Sequence, residues 1–126
     1  MKKSATDLVA EAKREVQNLT PDQVAQELEE GALLVDVREP EERAAASIPR
    51  AIAAPRGMLE FYADPDLPYH KPEFTHDRRI ILHCASGGRS ALAAATLQRM
   101  GYENVAHLDG GIKAWQEAGR TTEPGA

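Results

Sequence analysis

The chain has a single cysteine, Cys84, and its setting predicts a reactive thiol. An apolar run with strand character, residues 80–83, leads to it, and a glycine-containing loop that runs into a helix-forming stretch follows it. A strand that delivers a thiol into such a loop brings backbone N–H groups and the positive end of a helix dipole to the sulfur. We therefore expect Cys84 to ionise easily, to be reachable and to attack electrophiles.

The residues after Cys84 predict an anion-binding loop. Gly87 and Gly88 let the backbone curl so that its N–H groups face inward. Ser86 and Ser90 can donate hydroxyl hydrogen bonds, and Arg89 adds a fixed positive charge. A thiolate held in this way can attack a sulfane sulfur, carry it as a persulfide and pass it to a second nucleophile.

An unreactive Cys84 is the alternative on residue type alone. Free cysteines are among the most buried residue types, and many of them only pack in a core. A glycine pair, two serines and an arginine within six residues are poor core-packing material. The loop therefore favours the reactive interpretation.

Other polar residues of the sequence indicate structural roles. Asp36 and Arg38 follow an apolar run, and we expect Arg38 to pair with a carboxylate such as Glu39 or Glu42 and to stabilise the fold. His83 precedes Cys84, but adjacent strand residues point to opposite faces. We therefore predict no His83–Cys84 pair, no metal and no cofactor.

Composition and charge narrow the class of protein. The 126 residues carry a net charge of −5, and 42% of them are apolar, which fits one globular domain. Residues 1–44 hold eleven acidic against six basic residues, whereas residues 45–126 hold nine of each. No dense basic face is indicated, so we predict no nucleic-acid partner.

The sequence also predicts a cytoplasmic location and no membrane partner. No apolar run approaches the ~20 residues that a membrane-spanning helix needs, and the first residues contain no apolar leader segment. A lone cysteine cannot form an intramolecular disulfide bond, which suits a reducing compartment.

Apolar patterning predicts a chain of alternating helices and strands. Helices are expected at about residues 5–18, 21–30, 90–100 and 112–118, with shorter ones after Pro40 and within 57–79. Strands are expected over 32–37, 80–84 and 104–108, with a short one within 47–52. This order predicts an α/β domain with a mostly parallel central sheet and helices on both faces. We divide the chain into an N-terminal helical extension packed on the domain (1–19), the domain itself (20–120) and a flexible tail (121–126).

Three segments carry a family resemblance. They are LVDVREPEE at 34–42, CASGGRS at 84–90 and GYENVAHLDGGIKAW at 101–115. In this order they resemble the single-domain rhodanese-like sulfurtransferases, and the resemblance extends over roughly residues 20–119.

The resemblance implies a rhodanese-like α/β domain that moves sulfane sulfur through a Cys84 persulfide. It implies a small anionic donor such as thiosulfate and a thiol or cyanide acceptor, with a protein sulfur acceptor as a further option. It also implies an anion pocket made by the main chain of residues 85–89 and the side chains of Ser86 and Arg89. The candidate site is catalytic Cys84 with substrate-binding Ala85, Ser86, Gly87, Gly88, Arg89 and Ser90.

The chain departs from the family pattern at two places. Residues 46–51 read ASIPRA where the family usually has GHIPGA, which puts Arg50 at a glycine position. Ala85 stands where thiosulfate-specialised members often carry a basic residue, so the natural donor stays open. The sequence also leaves open whether Arg38, Arg50 or Arg56 reaches the pocket.

Two other functions are compatible with the fold. Tyrosine phosphatases place five residues between the loop cysteine and arginine, whereas four separate Cys84 from Arg89 here. The shorter loop suits a persulfide sulfur better than a tetrahedral phosphate. A noncatalytic binding or regulatory module is the second alternative, and the intact cysteine loop argues against it.

Overall fold

The computed structural model describes residues 2–125. Met1, at the start of the predicted extension, and Ala126, at the end of the predicted tail, lie outside the described residues. The helices are α1 (Ala5–Glu15), α2 (Pro21–Glu29), α3 (Pro40–Ala45), α4 (Leu59–Ala63), α5 (Gly88–Arg99) and α6 (Gly111–Glu117). The strands are β1 (Gln17–Leu19), β2 (Leu33–Asp36), β3 (Ile52–Ala53), β4 (Ile80–His83) and β5 (Val105–Leu108).

The five strands form one parallel sheet in the order β1-β5-β4-β2-β3. Every residue of β2, β4 and β5 is buried. Strands covered on both faces read as continuous apolar runs, which is why the sequence reveals β2 and β4 clearly. The predicted α/β architecture with an N-terminal helix is therefore confirmed.

Alternation along the strands divides the core into two layers. Leu33 and Val35 of β2 pack in the layer that contains α4 and α5, and Leu34 faces the layer that contains α2 and α6. Ile112 and Trp115 of α6 share the second layer, as their helical spacing predicts. No helix of residues 2–125 is long and apolar enough to cross a membrane.

The N-terminal segment differs from the predicted helix over 5–18. Helix α1 ends at Glu15, and residues 17–19 pair with β5 as an edge strand. The Asn18 side chain donates hydrogen bonds to the carbonyls of Lys13 and Val16, which closes the end of the helix. A strand of three residues is too short to show a period of two, so the sequence pattern does not reveal it.

The C-terminal segment, for which the sequence predicts flexibility, is hydrogen-bonded in the structure. Ser47 and Glu123 exchange backbone N–H···O bonds of 2.7 and 2.9 Å, and the Gly125 N–H donates to the Arg43 carbonyl. The Trp115 indole N–H donates to the Thr121 carbonyl at 2.8 Å. Main-chain pairing of this kind leaves no trace in the polar composition of residues 121–125.

Candidate active site

Cys84 follows β4 directly and faces the α5 side of the sheet. It packs with Ile80 and Leu82 of the same strand, as a period of two requires. The sequence suggests a reachable thiol, but the residue is only 1% exposed. The loop after Cys84 folds back over the sulfur, and this covers the side chain.

Main-chain N–H groups converge on the sulfur at the start of α5. The Gly87 N–H donates to Sγ at 3.1 Å and the Ser90 N–H at 3.4 Å. Both groups belong to the first turn of the helix or its cap, where N–H groups lack helical partners and the dipole is positive. N–H groups that point at a sulfur in this way can stabilise negative charge on it.

Gly87 makes the tight turn of this loop possible. Its φ of +108° lies in the left-handed region, which side chains rarely adopt. A Cβ at this position would also lie 3.1 Å from the backbone nitrogen of Gly110. A larger residue would therefore displace the loop from the start of α6.

The first turn of α6 holds the other side of the loop. The Ile112 N–H donates to the Cys84 carbonyl at 2.9 Å, and the Lys113 N–H donates to the Ala85 carbonyl at 3.2 Å. Gly111 allows this approach, because a Cβ there would lie 2.5 Å from the Ala85 carbonyl carbon and oxygen. Helix α6 thus binds the loop carbonyls while α5 provides the N–H groups that bind the sulfur.

Arg89 and Ser86 are placed differently from the sequence expectation. The Arg89 guanidinium makes a bidentate ion pair with Glu42 of α3, at 2.8 and 2.9 Å, rather than contacting the sulfur. These hydrogen bonds lower the pKa of Glu42 to about 2 and raise the pKa of Arg89. The Ser86 side chain is exposed at the tip of the loop. The sequence does not reveal Glu42 as the partner of Arg89, because the two lie on separate elements.

A second polar cluster, defined by Asp36, Arg38, Arg43 and His83, lies at the ends of β2 and β4. The Asp36 carboxylate accepts hydrogen bonds from the Arg38 main-chain N–H and from its Nε and Nη2, all within 3.0 Å. Arg38 therefore pairs with Asp36 rather than with the side chain of Glu39 or Glu42. Burial alone raises the pKa of Asp36, but the hydrogen bonds from Arg38 bring it below its ordinary value.

His83 belongs to this Asp36 cluster and not to the cysteine site. Its Nε2 lies 3.6 Å from an Asp36 carboxylate oxygen, and its Nδ1 lies 3.2 Å from the Cys84 carbonyl oxygen. Burial lowers the pKa of His83, so the ring is neutral. The side chain is buried in the sheet. Residues 2–125 contain no His, Cys, Asp or Glu group of three or more that could hold a metal.

Arg50 and Arg56 bind groups away from the sulfur. Arg50 has a φ of +79° and contacts Glu29 across 3.3 Å on the surface. Arg56 donates to Glu60 at 2.9 Å and to the Thr96 hydroxyl at 3.1 Å. In the family pattern glycine occupies the Arg50 position, and the left-handed φ explains why glycine suits it.

A chain of hydrogen-bonded side chains connects the Cys84 sulfur with Asn18 of β1. The Ser90 Oγ lies 3.5 Å from Cys84 Sγ and 2.9 Å from His107 Nδ1. The His107 Nε2 lies 2.6 Å from the Asn18 Oδ1. The sequence contains one signal for His107, since the alternation in β5 places it on the same face as Val105 and therefore toward α5. It contains no signal that joins His107 to Ser90 or Asn18.

Comparisons with known proteins identify relatives of this arrangement. A family model described as the rhodanese-like domain matches residues 20–118, which confirms the resemblance carried by the three motifs. A protein of Allochromatium vinosum named sulfurtransferase is 39% identical over 90 residues, which cover 71% of this chain and 77% of that protein. The thiosulfate sulfurtransferase GlpE of Pseudomonas syringae is 32% identical, over 87% of this chain and 92% of its own.

A solved structure matches nearly the whole chain. It is a protein of unknown function from Rhodopseudomonas palustris, described as a possible tyrosine phosphatase. The two chains are 38% identical with a TM-score of 0.91, and the match covers 98% of this chain and 96% of the other.

Proposed function

Because the chain belongs to the rhodanese-like domain family, whose matched relatives include sulfurtransferases, we propose that it transfers sulfane sulfur through a persulfide on Cys84. One observation carries the proposal. The Gly87 and Ser90 N–H groups point at Sγ from the start of α5, at 3.1 and 3.4 Å. Donors fixed in this way stabilise the Cys84 thiolate, both as the nucleophile of the first step and as the leaving group of the second.

The proposed reaction has two displacement steps. With thiosulfate as donor, the Cys84 thiolate attacks the sulfane sulfur, a new S–S bond forms, and sulfite leaves with the electron pair of the broken bond. The enzyme then holds the persulfide anion. A thiolate or cyanide acceptor attacks the outer sulfur, and the Cys84 thiolate leaves with the electrons of the S–S bond.

The rest of the loop is proposed to bind the donor. Two main-chain N–H groups of the loop and of the first turn of α5, those of Gly87 and Ser90, point at the sulfur, and Ser86 is exposed, where an entering anion can meet its hydroxyl. Arg89 contributes a guanidinium whose charge is shared with Glu42. Glu42 offsets part of that positive charge, which suits a donor of lower negative charge than thiosulfate. We therefore propose thiosulfate as the donor for assays and persulfides as further donors.

The free thiol supports a cytoplasmic location as part of the proposal. A single cysteine that must stay reduced suits the cytoplasm, where small thiols and thiol-bearing proteins are available as acceptors. As domain organisation, we propose residues 20–120 as the sulfurtransferase domain, with an N-terminal extension whose helix α1 packs on α5 and whose residues 17–19 add an edge strand to the sheet.

Mass spectrometry of the intact protein tests this proposal. After incubation with thiosulfate and removal of excess donor, we expect the parent protein to gain the mass of one sulfur atom, with release of one sulfite. Addition of cyanide should remove that mass and form thiocyanate. The Cys84→Ser variant should do neither, and an unmodified parent thiol would instead support a noncatalytic module.

The phosphatase alternative is tested on the same two proteins. Four residues between Cys84 and Arg89 make a small loop, and we expect no turnover of a phenyl phosphate ester. Hydrolysis by the parent protein that disappears in Cys84→Ser, together with no gain of sulfur, would overturn the sulfur-transfer proposal in favour of phosphate chemistry.

A further inference from the structure

The proton positions in the chain from Asn18 to Cys84 follow from its hydrogen bonds. The Asn18 Nδ2 donates to the carbonyls of Lys13 and Val16, at 2.9 and 3.2 Å. This fixes the side-chain amide so that Oδ1 faces His107. Since Oδ1 can only accept, the His107 Nε2 at 2.6 Å must carry the hydrogen.

The charge state of His107 determines what its other nitrogen can do. The ring is fully buried, and burial lowers its pKa to about 4, with Asp109 acting to raise it and Lys13 to lower it. At neutral pH the ring is therefore uncharged, and its Nδ1 is an acceptor. The Ser90 hydroxyl at 2.9 Å donates to it.

This assignment gives Ser90 a specific role toward the sulfur. With its hydrogen on His107, the Ser90 Oγ presents a lone pair to the Cys84 thiol across 3.5 Å. It accepts the thiol hydrogen instead of donating its own. While Cys84 is a thiol, the Ser90 hydroxyl therefore does not act as the anion donor that the sequence suggests.

We propose that His107 is a positioning residue that acts through Ser90 to accept the proton of the Cys84 thiol, with Asn18 fixing its tautomer. The S–H bond breaks and its proton passes to Ser90 Oγ, while the Ser90 proton passes to His107 Nδ1. The products are a thiolate and an imidazolium, and the Ser90 hydroxyl now donates to the sulfur. The inference rests on Cys84 being the nucleophile of the proposed function.

Three charged groups face His107 and affect protonation of its ring. Lys13 of α1 opposes protonation of the ring, whereas Asp109 favours it, and these two side chains themselves pair across 3.3 Å. The thiolate formed at Cys84 is the third group, and it stabilises the imidazolium as a nearby opposite charge. The N-terminal segment thus contributes two residues that act on His107. Lys13 opposes protonation of the ring, and Asn18 fixes its tautomer.

The rate of Cys84 alkylation by iodoacetamide, measured against pH, tests the proposal. His107→Asn keeps an acceptor near the Nδ1 position but removes the titratable ring. We expect the midpoint of the alkylation profile to rise by about one pH unit, which is roughly a tenfold slower reaction at neutral pH. Ser90→Ala should give a similar shift, and the double variant should add little to it. Unchanged midpoints in folded variants would overturn the proposal.

A second variant keeps the test informative where His107→Asn folds poorly. Asn18 is exposed, and Asn18→Asp places a carboxylate beside the His107 Nε2–H, which favours the imidazolium. We expect the alkylation midpoint to fall and the His107 NMR titration to move to higher pH. Asn104→Asp, at the opposite end of β5, adds the same charge as a control and should shift neither. A parent-like midpoint in Asn18→Asp would contradict the relay.

These measurements separate the relay from the sulfur-transfer proposal. Alkylation reports on thiolate formation and needs no sulfur donor. Shifted midpoints in a protein that gains no sulfur from thiosulfate would leave the relay intact and remove the proposed function. Sulfur uptake with unshifted midpoints would remove the relay alone.

Discussion

Two polar sites lie at the same edge of the sheet, and they use their groups in opposite ways. In the Asp36 cluster, a carboxylate at the end of β2 is bound by three donors of Arg38 and lies 3.5 Å from Arg43. At the end of β4, the donors that residues 2–125 direct at the Cys84 sulfur are uncharged, the N–H groups of Gly87 and Ser90. The first site neutralises a buried charge permanently, whereas the second can stabilise a charge that appears and disappears.

Glu42 connects the two sites. Its carboxylate binds Arg89 beside the cysteine loop, and its main-chain carbonyl accepts from Arg38 of the Asp36 cluster at 3.4 Å. Arg89 is therefore linked through Glu42 to the Asp36 cluster. The two strand ends are equally buried. The end of β2, which fixed ion pairs occupy, has a structural role, whereas the end of β4 can bind a charge that forms during a reaction.

The largest effect on stability is expected in the Asp36 cluster. Asp36→Ala removes the carboxylate that compensates the buried guanidinium of Arg38, and we expect the free energy of unfolding to fall by about 5 kcal/mol. Asp22→Ala, which removes an exposed partner of Arg120, should cost no more than about 0.5 kcal/mol. Denaturant titration measures both, and equal losses would contradict a structural role for the cluster.

A smaller but still large loss is expected where α6 meets the cysteine loop. Gly111→Ala places a Cβ against the Ala85 carbonyl at a left-handed φ of +63°, and we expect a loss of about 4 kcal/mol and slower alkylation of Cys84. Gly31→Ala is the matched control, because its φ is +100° but no atom lies within 4 Å. It should cost about 1 kcal/mol and leave alkylation unchanged. Similar results for both variants would mean that the contact with the loop is unimportant.

His107 should make stability depend on pH. Its pKa is about 4 in the folded protein, below the ordinary value of 6.5, so the unfolded chain takes up a proton first as the pH falls. Stability from this group is complete above about pH 6.5 and is lost progressively down to about pH 4, by about 3 kcal/mol. In His107→Asn this part of the pH dependence should disappear, whereas His76→Asn, at an exposed histidine, should keep it.

The smallest effect should be on donor binding. Glu42→Gln removes the negative charge that holds Arg89, so the guanidinium is freer to meet an anionic donor at the loop. We expect the KM for thiosulfate to fall about threefold with little change in kcat. Glu41→Gln, at the exposed neighbouring position, controls for net charge. A higher KM in Glu42→Gln would show that the ion pair positions Arg89 for binding.

Local features of the sequence were sufficient for the buried strands β2, β4 and β5 and for the position of the cysteine loop. The buried strands are continuous apolar runs, and the loop is contiguous in sequence, so composition and order predict both. Pairings between distant segments were not predictable, because nothing in the pattern joins Glu42 to Arg89 or Asn18 to His107. The burial of Cys84 was also missed, because it depends on how closely the α5 and α6 ends approach.

The burial of Cys84 sets different size limits for the donor and the acceptor in the two displacement steps of the proposed reaction. The outer sulfur of a persulfide stands about 2 Å from the sulfur that carries it. A group loaded onto Sγ therefore extends beyond the sealed position of the thiol itself. The sulfur donor of the first step must therefore be narrow enough to reach the buried Sγ. In the second step the outer sulfur of the persulfide lies nearer the surface, where a bulkier acceptor can attack it.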